Sequence, residues 1–165
     1  MHLIGDCHFN DPNIIEFEGR PFKSTAEMDE FMIQEWNATV PPDGDIIVAG
    51  DFICSNDFQY IRSIISRLNG KISLVRGNHD TNLNMLEDLG VKIYPYPIVV
   101  DDFWMISHEP MYVNMSMPYA NIYAHIHTNP NYKDVSPRGI CVSTERLGYR
   151  PIFMDDAKAR VLACN

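Results

Sequence analysis

Short apolar runs that each stop at a cluster of histidine, aspartate or asparagine constrain the fold of this chain more than any other feature. "HLIG" leads into Asp6 and His8, "DIIVAG" into Asp51, and "KISLVRG" into Asn78, His79 and Asp80. Later, "FWMIS" leads into His108 and "NIYA" into His125 and His127. Apolar runs rich in β-branched residues and bounded by polar residues read as buried strands. In α/β sheets the crevice beyond the carboxyl ends of the strands is where ligands bind. Strands lying side by side would therefore gather these polar residues in one place. His2 lies outside the pattern and reads as an ordinary strand or surface histidine.

Between the early strands the periodicity becomes helical. "STAEMDEFMIQEWN" (24–37) opens with Ser24 and Glu27 at capping-box spacing and continues with Met28, Phe31, Met32 and Trp36 at helical intervals, a stripe expected to pack into the core. "DFQYIRSIISRLNG" (57–70) repeats the device with an Asn-Gly stop, and "TNLNMLEDLG" (81–90) predicts a shorter helix ending at Gly90. From Val91 to about Met154 the chain reads as strands and turns rich in proline, and a last helix follows in "DDAKARVLA" (155–163). Strand–helix alternation followed by a strand-rich half predicts an α/β layered fold with more than one sheet. With 165 residues and no repeat or long linker, residues 1–165 are expected to form one domain.

Composition excludes several classes of protein. Hydrophobic residues make up 45% and charged residues 21%, an ordinary globular balance that argues against disorder. No apolar run approaches the roughly 18 residues of a membrane span, and "MHLIGD" lacks signal-peptide architecture, so a cytoplasmic location and no membrane partner are expected. Cys7, Cys54, Cys141 and Cys164 form no C-x-x-C pair, which speaks against a zinc ribbon or a dithiol redox site and for small buried hydrophobes. The formal net charge of −9 argues against binding duplex DNA by phosphate neutralisation. An acidic protein still handles phosphates where a bound metal supplies local positive charge.

Neutral imidazole together with carboxylate suits manganese, zinc, iron or nickel without any thiolate. Asp6, His8, Asp51, Asn78, His108, His125 and His127 are too many ligands for one tetrahedral ion, which points to two divalent metal ions. Ions about 3.5–4 Å apart can share a bridging carboxylate, and Asp51, alone after its strand, is the natural bridge. Asp6 with His8, and His125 with His127, stand two residues apart, on the same side of an extended segment.

The ordered series D-x-H, G-D, G-N-H-D, H and H-x-H, spanning residues 6–127, resembles the signature of the calcineurin-like metallophosphoesterase superfamily. "GDCHFNDPNIIEFEGRPF" and the following "MDEFMIQEWN" are similar to a small, single-domain branch of it. The resemblance implies a layered α-β-β-α sandwich with two mixed sheets flanked by helices. It also implies that Asp6, His8 and His127 hold one metal, that Asn78, His108 and His125 hold the other, and that Asp51 bridges them. His79 and Asp80 become the candidate catalytic pair, His79 meeting the phosphate and leaving group and Asp80 orienting the His79 ring.

The implied reaction is hydrolysis of a small phosphoester by a metal-bridging hydroxide, with phosphodiesters favoured over monoesters and a nucleotide or short nucleic acid among the substrates. The alternative is a non-catalytic scaffold of the same fold that binds protein partners, which the intact ligand positions disfavour. Two departures stand out. Ala124 replaces the glycine of the usual G-H-x-H, and "HFND" replaces the branch's frequent H-F-G-H, placing Asn10 and Asp11 where they would bear on substrate contacts. Gly77 is expected to permit a sharp turn that aims Asn78 and His79 apart. Arg76 is expected to lie in solvent or pair with an acid, Arg20 to pack, and most of Tyr112, Tyr119 and Tyr123 to be core.

Overall fold

The computed structural model describes residues 1–132 and 136–163. Its strands are β1 (His2–Ile4), β2 (Asp45–Val48), β3 (Lys71–Val75), β4 (Lys92–Tyr94), β5 (Ile98–Val100), β6 (Trp104–Ile106), β7 (Ala120–Tyr123), β8 (Gly139–Cys141) and β9 (Ile152–Phe153). Its α-helices are α1 (Pro12–Phe17), α2 (Thr25–Thr39), α3 (Phe58–Ile65), α4 (Leu83–Asp88) and α5 (Met154–Ala163). One sheet runs in the order β4-β3-β2-β1-β9 and the other β5-β6-β7-β8. The first is parallel apart from β9, and the second is parallel apart from β5. Two mixed sheets flanked by helices are therefore the observed architecture. Cys164 and residues 133–135 of the strand-rich half lie outside the described residues.

Both faces of the first sheet are buried, and the period-two alternation of its strands sorts residues between two cores. Ile4, Ile46, Val48, Ile72 and Leu74 face helices α2 and α3, packing with Met28, Met32, Trp36, Ile61 and Ile64. Leu3, Ile47, Ala49 and Val75 face the second sheet instead, against Trp104, Ile106, Ala120 and Ile122, with Met154, Ala157 and Val161 of α5 in the same cluster. Burying each large aliphatic side chain contributes roughly 1.5–3 kcal/mol, so this two-sided arrangement holds the strand ends, and hence the loops beyond them, in fixed register.

Local sequence sets the helix starts. Ser24 caps α2 by accepting the Glu27 N–H, while the Glu27 carboxylate reaches back to the Lys23 N–H. Asp57 caps α3 by accepting from Gln59 and Tyr60. The Met and aromatic stripe of α2 is buried except at Phe31, which is 39% exposed and sits at the rim against Phe22 and Tyr149. Of the three tyrosines expected mostly in the core, Tyr123 is buried, Tyr119 is half-buried and Tyr112 is exposed, because residues 111–119 form a loop rather than a strand. Helix α1 is absent from the sequence reading. Its six residues are too few for periodicity to register, and its only local mark is Asp11 capping it ahead of Pro12. Among the described residues no helix is long and apolar enough to cross a membrane.

Candidate metal centre

The polar clusters converge, and backbone geometry shows how. Asp6, His8, Asp51, His125 and His127 all have positive φ, at 54°, 52°, 54°, 69° and 44°. Non-glycine residues held in that region are strained by about 1–3 kcal/mol each, and such strain gathers at functional sites. Beyond β1 the chain crosses to the second sheet: Gly5 donates to the Val142 carbonyl at 2.8 Å and accepts from the Thr144 N–H at 2.9 Å. That crossing carries Asp6 to the loop after β7, where its Oδ1 accepts the His125 N–H at 3.1 Å. Ala124 fits here because Gly5 faces it; a Cβ on Gly5 would lie 2.4 Å from the Ala124 Cβ. Positive φ falls on His125 and His127 and not on Ala124, so the alanine in place of the usual glycine costs no strain.

Among the described residues two sets of ligand atoms come together here, and a third cluster, Glu18, His127 and Glu145, shares His127 with the first. Asp6, His8 and His127 each offer one ligand atom within 4.8 Å of the others, and so do Asp51, His108 and His125. Asn78 Oδ1 lies 2.8 Å from His108 Nε2 and 3.0 Å from His125 Nδ1, and those two nitrogens are 3.1 Å apart. Asp51 Oδ2 stands between the sets, 3.5 Å from His8 Nε2 and 3.3 Å from His108 Nε2. Asp6 Oδ2 and His8 Nε2 are buried without a hydrogen-bond partner among the described residues. Burying such atoms unpaired is expensive, and lone pairs packed this closely repel unless something positive lies among them. The donor set therefore fits divalent cations.

Electrostatics agree. Burial opposes charge on His108, yet the Asp51 carboxylate beside it pushes the imidazole up to about 9. Burial likewise opposes ionisation of Asp51, but His108 and His8 hold its carboxyl far below the usual range. A proton on His108 here occupies the electrostatic place of a cation, so metal and proton compete for the same lone pairs.

A surrounding layer of contacts aims the ligand atoms. His108 donates through Nδ1 to the Ala49 carbonyl at 2.9 Å, which leaves Nε2 facing Asp51. His8 does the same through Nδ1, 3.1 Å from Asp11 Oδ2. Asp11 is thus committed to His8 and to capping α1 through the Asn13 N–H, while the Asn10 backbone N–H donates to Asp29 and its side chain is half-buried. Asp80 differs from expectation. Its carboxylate accepts the backbone N–H groups of Asp51, Phe52 and Gly77 at 2.9, 2.9 and 2.7 Å, locking two loops together rather than orienting the His79 ring. His79 itself is exposed; its N–H donates to Asp51 Oδ1 at 2.8 Å and its ring lies against His8 with centroids 5.3 Å apart.

Two residues enter the site with no strand-end motif to mark them. Glu145, in a short 3-10 helix after β8, contacts His127 Nδ1 through both carboxylate oxygens at 3.1 and 3.2 Å. Arg20 is only 4% exposed; it pairs with Glu145 and donates to the Asp6 and Cys7 carbonyls at 2.7 and 2.9 Å. Burial works against the Glu145 charge, but the His127 hydrogen bond and the Arg20 charge bring its carboxyl down to about 2. Arg20 packs as expected, and it also braces the Asp6–His8 loop from behind. Cys7 is buried and Cys54 exposed.

Gly77 acts through space rather than through φ. A Cβ there would fall 2.2 Å from Asp51 Oδ1 and 2.6 Å from the Asp51 nitrogen. Gly50 needs both its φ of +84° and its missing side chain, since a Cβ would lie 2.2 Å from His108 Nδ1. Gly77→Ala is accordingly expected to displace Asp51, destabilise the protein by about 1–3 kcal/mol and weaken metal binding about 10- to 100-fold. Metal titration beside a denaturant melt tests this, and unchanged affinity would refute it.

A family model described as calcineurin-like phosphoesterase matches residues 2–152. The chain belongs to that family. As a calcineurin-like phosphoesterase it falls among phosphoester hydrolases that bind divalent metals, in keeping with the two ligand sets. An uncharacterized protein of Methanocaldococcus jannaschii is 31% identical over 163 residues, covering 94% of this chain and 87% of its own. A protein of unknown function from Aquifex aeolicus, AQ665, superposes with a TM-score of 0.75 at 22% identity over 97% of this chain and 98% of that one, which shows the shared fold. The Pseudomonas putida nuclease MPE matches with a TM-score of 0.47 at 22% identity, over 76% of this calcineurin-like phosphoesterase and 59% of its own chain, too distant in shape to bear on function.

Proposed function

We propose that this protein hydrolyses a small phosphodiester at a centre of two divalent ions. The observation that carries the reading is the position of Asp51 Oδ2 between two ligand sets, 3.5 Å from His8 Nε2 and 3.3 Å from His108 Nε2. In this reading Asp6, His8 and His127 hold one ion, Asn78, His108 and His125 hold the other, Asp51 serves both, and residues 1–165 act as one domain. Manganese, zinc, iron and nickel all suit this nitrogen and oxygen donor set. Ions held there would polarise a phosphoryl oxygen and bring the pKa of a water nucleophile toward neutrality.

The chain's own residues do the rest. His79, exposed beside His8 and fixed through its backbone to Asp51, stands where it can donate a proton to the leaving oxygen. Asp80, by clamping the Asp51, Phe52 and Gly77 backbone, holds the His79 loop at a constant distance from Asp51. Asn78, His79 and His125 are all exposed, so the centre is open on one side and has room for an ester with two substituents. The net charge of −9 disfavours duplex DNA as that ester.

Reconstitution tests the reading. Metal-stripped protein receives manganese, zinc, iron or nickel and is assayed on bis(p-nitrophenyl) phosphate and p-nitrophenyl phosphate. Faster turnover of the diester is expected, and His79→Ala should lower kcat by about 10²–10⁴ with metal binding intact. No turnover of either ester by protein carrying two bound ions would favour the scaffold alternative, and faster monoester turnover would reverse the substrate preference.

A further inference from the structure

Beside the candidate metal centre a cleft of about 390 Å³ opens, with Asn78 and His108 in its lining. Pro95, Tyr96 and Pro97, from the link between β4 and β5, and Glu109, Pro110 and Met111, just after β6, line it too. Tyr96 is 77% exposed and Met111 38%, so a ring and a thioether face water next to a strongly polar site. One exposed aromatic on a surface needs no explanation. Here an aromatic ring, prolines and a methionine line a single concavity together with the candidate metal ligands Asn78 and His108. The volume lies at the low end of the roughly 300–1,000 Å³ typical of ligand sites, which suits one ring system.

We infer that this cleft binds the organic substituent of the phosphoester, and that the substituent is a nucleoside. The inference rests on the phosphoesterase reading and adds the substrate class to it. A nucleobase presents a planar face to the Tyr96 ring, and base–aromatic stacking of this kind tolerates any base. The exposed Glu109 carboxylate, in the same lining, is an acceptor only, matching the exocyclic amino group of adenine, guanine or cytosine. Its negative charge also opposes a second phosphate, so a nucleoside monophosphate ester fits better than a polyphosphate. Arg76, also in the lining, has an exposed side chain with no hydrogen bond or ion pair among the described residues, and in a chain of net charge −9 that cation favours an anionic ester.

Two measurements on the whole protein test the inference separately from the chemistry. Adenosine, which carries no phosphate, is titrated by NMR into wild type, Tyr96→Ala and Tyr96→Phe. Binding should weaken about tenfold in Tyr96→Ala and persist in Tyr96→Phe, as loss of one stacked base implies. Metal-loaded protein is then given the p-nitrophenyl diesters of adenosine 5′-phosphate and of methyl phosphate. The ratio of kcat/KM for the adenosine ester over the methyl ester should fall about tenfold in Tyr96→Ala. Absence of adenosine binding, equal binding by Tyr96→Ala, or an unchanged ratio overturns the nucleoside cleft. Failure of wild type to hydrolyse either ester overturns the phosphoesterase reading, while the adenosine titration still decides the cleft.

Discussion

Asp51→Asn is expected to lower turnover of a model diester by about 10³-fold or more. The substitution keeps the side-chain shape and removes the charge that lies between His8 Nε2 and His108 Nε2. Lewis-acid stabilisation at a two-ion centre is worth several kcal/mol, and each 1.36 kcal/mol is a factor of ten in rate. The same carboxylate accepts the His79 N–H through Oδ1, and the neutral amide oxygen that replaces it accepts more weakly, so the residue proposed to protonate the leaving group is also held less firmly. Metal stoichiometry should drop below two per chain while circular dichroism stays native. Near wild-type kcat with two ions bound would remove Asp51 from its proposed position as the shared ligand.

Arg20→Met is expected to destabilise the fold by about 3–5 kcal/mol, because it leaves the buried Glu145 carboxylate with only the His127 ring in place of a full guanidinium charge. For a chain of this length that corresponds to a fall in Tm of roughly 10 °C. The Asp6 and Cys7 carbonyls lose their guanidinium donor at the same time. The double variant Arg20→Met with Glu145→Met should be more stable than Arg20→Met alone, since no uncompensated charge remains in it. A double variant as unstable as the sum of the singles would show that the two side chains act independently, contrary to their 2.6 Å contact.

The strand ends were legible because hydrophobic alternation is a local signal. Leu3 and Ile4, or Ile46 and Ile47, point to opposite faces whatever the rest of the chain does, and the residue after each run must emerge at the sheet edge. The polar clusters inherit their place from that rule. Glu145 has no such mark. It reaches His127 because Gly5 pairs with Ser143, a contact between residues far apart in sequence, and its partner Arg20 lies 125 positions away. The bonds that Asp80 makes were not legible, since its three partners come from two loops whose approach depends on the β2–β3 register. Gly77 invited a conformational explanation and has a steric one, visible only once Asp51 stands 2.2 Å from where a methyl group would be.

The candidate ligands run from Asp6 to His127, and they hang from both sheets. No helix or hairpin can assemble such a centre by itself. Closing the chain between residues so distant in sequence is an entropic barrier that local structure does not lower, and folds dominated by such closures form slowly. Asp6, His8, Asp51 and Asn78 follow strands of the first sheet, whereas His108, His125 and His127 follow strands of the second. Competence to bind metal therefore belongs to the two sheets docked together and to neither alone.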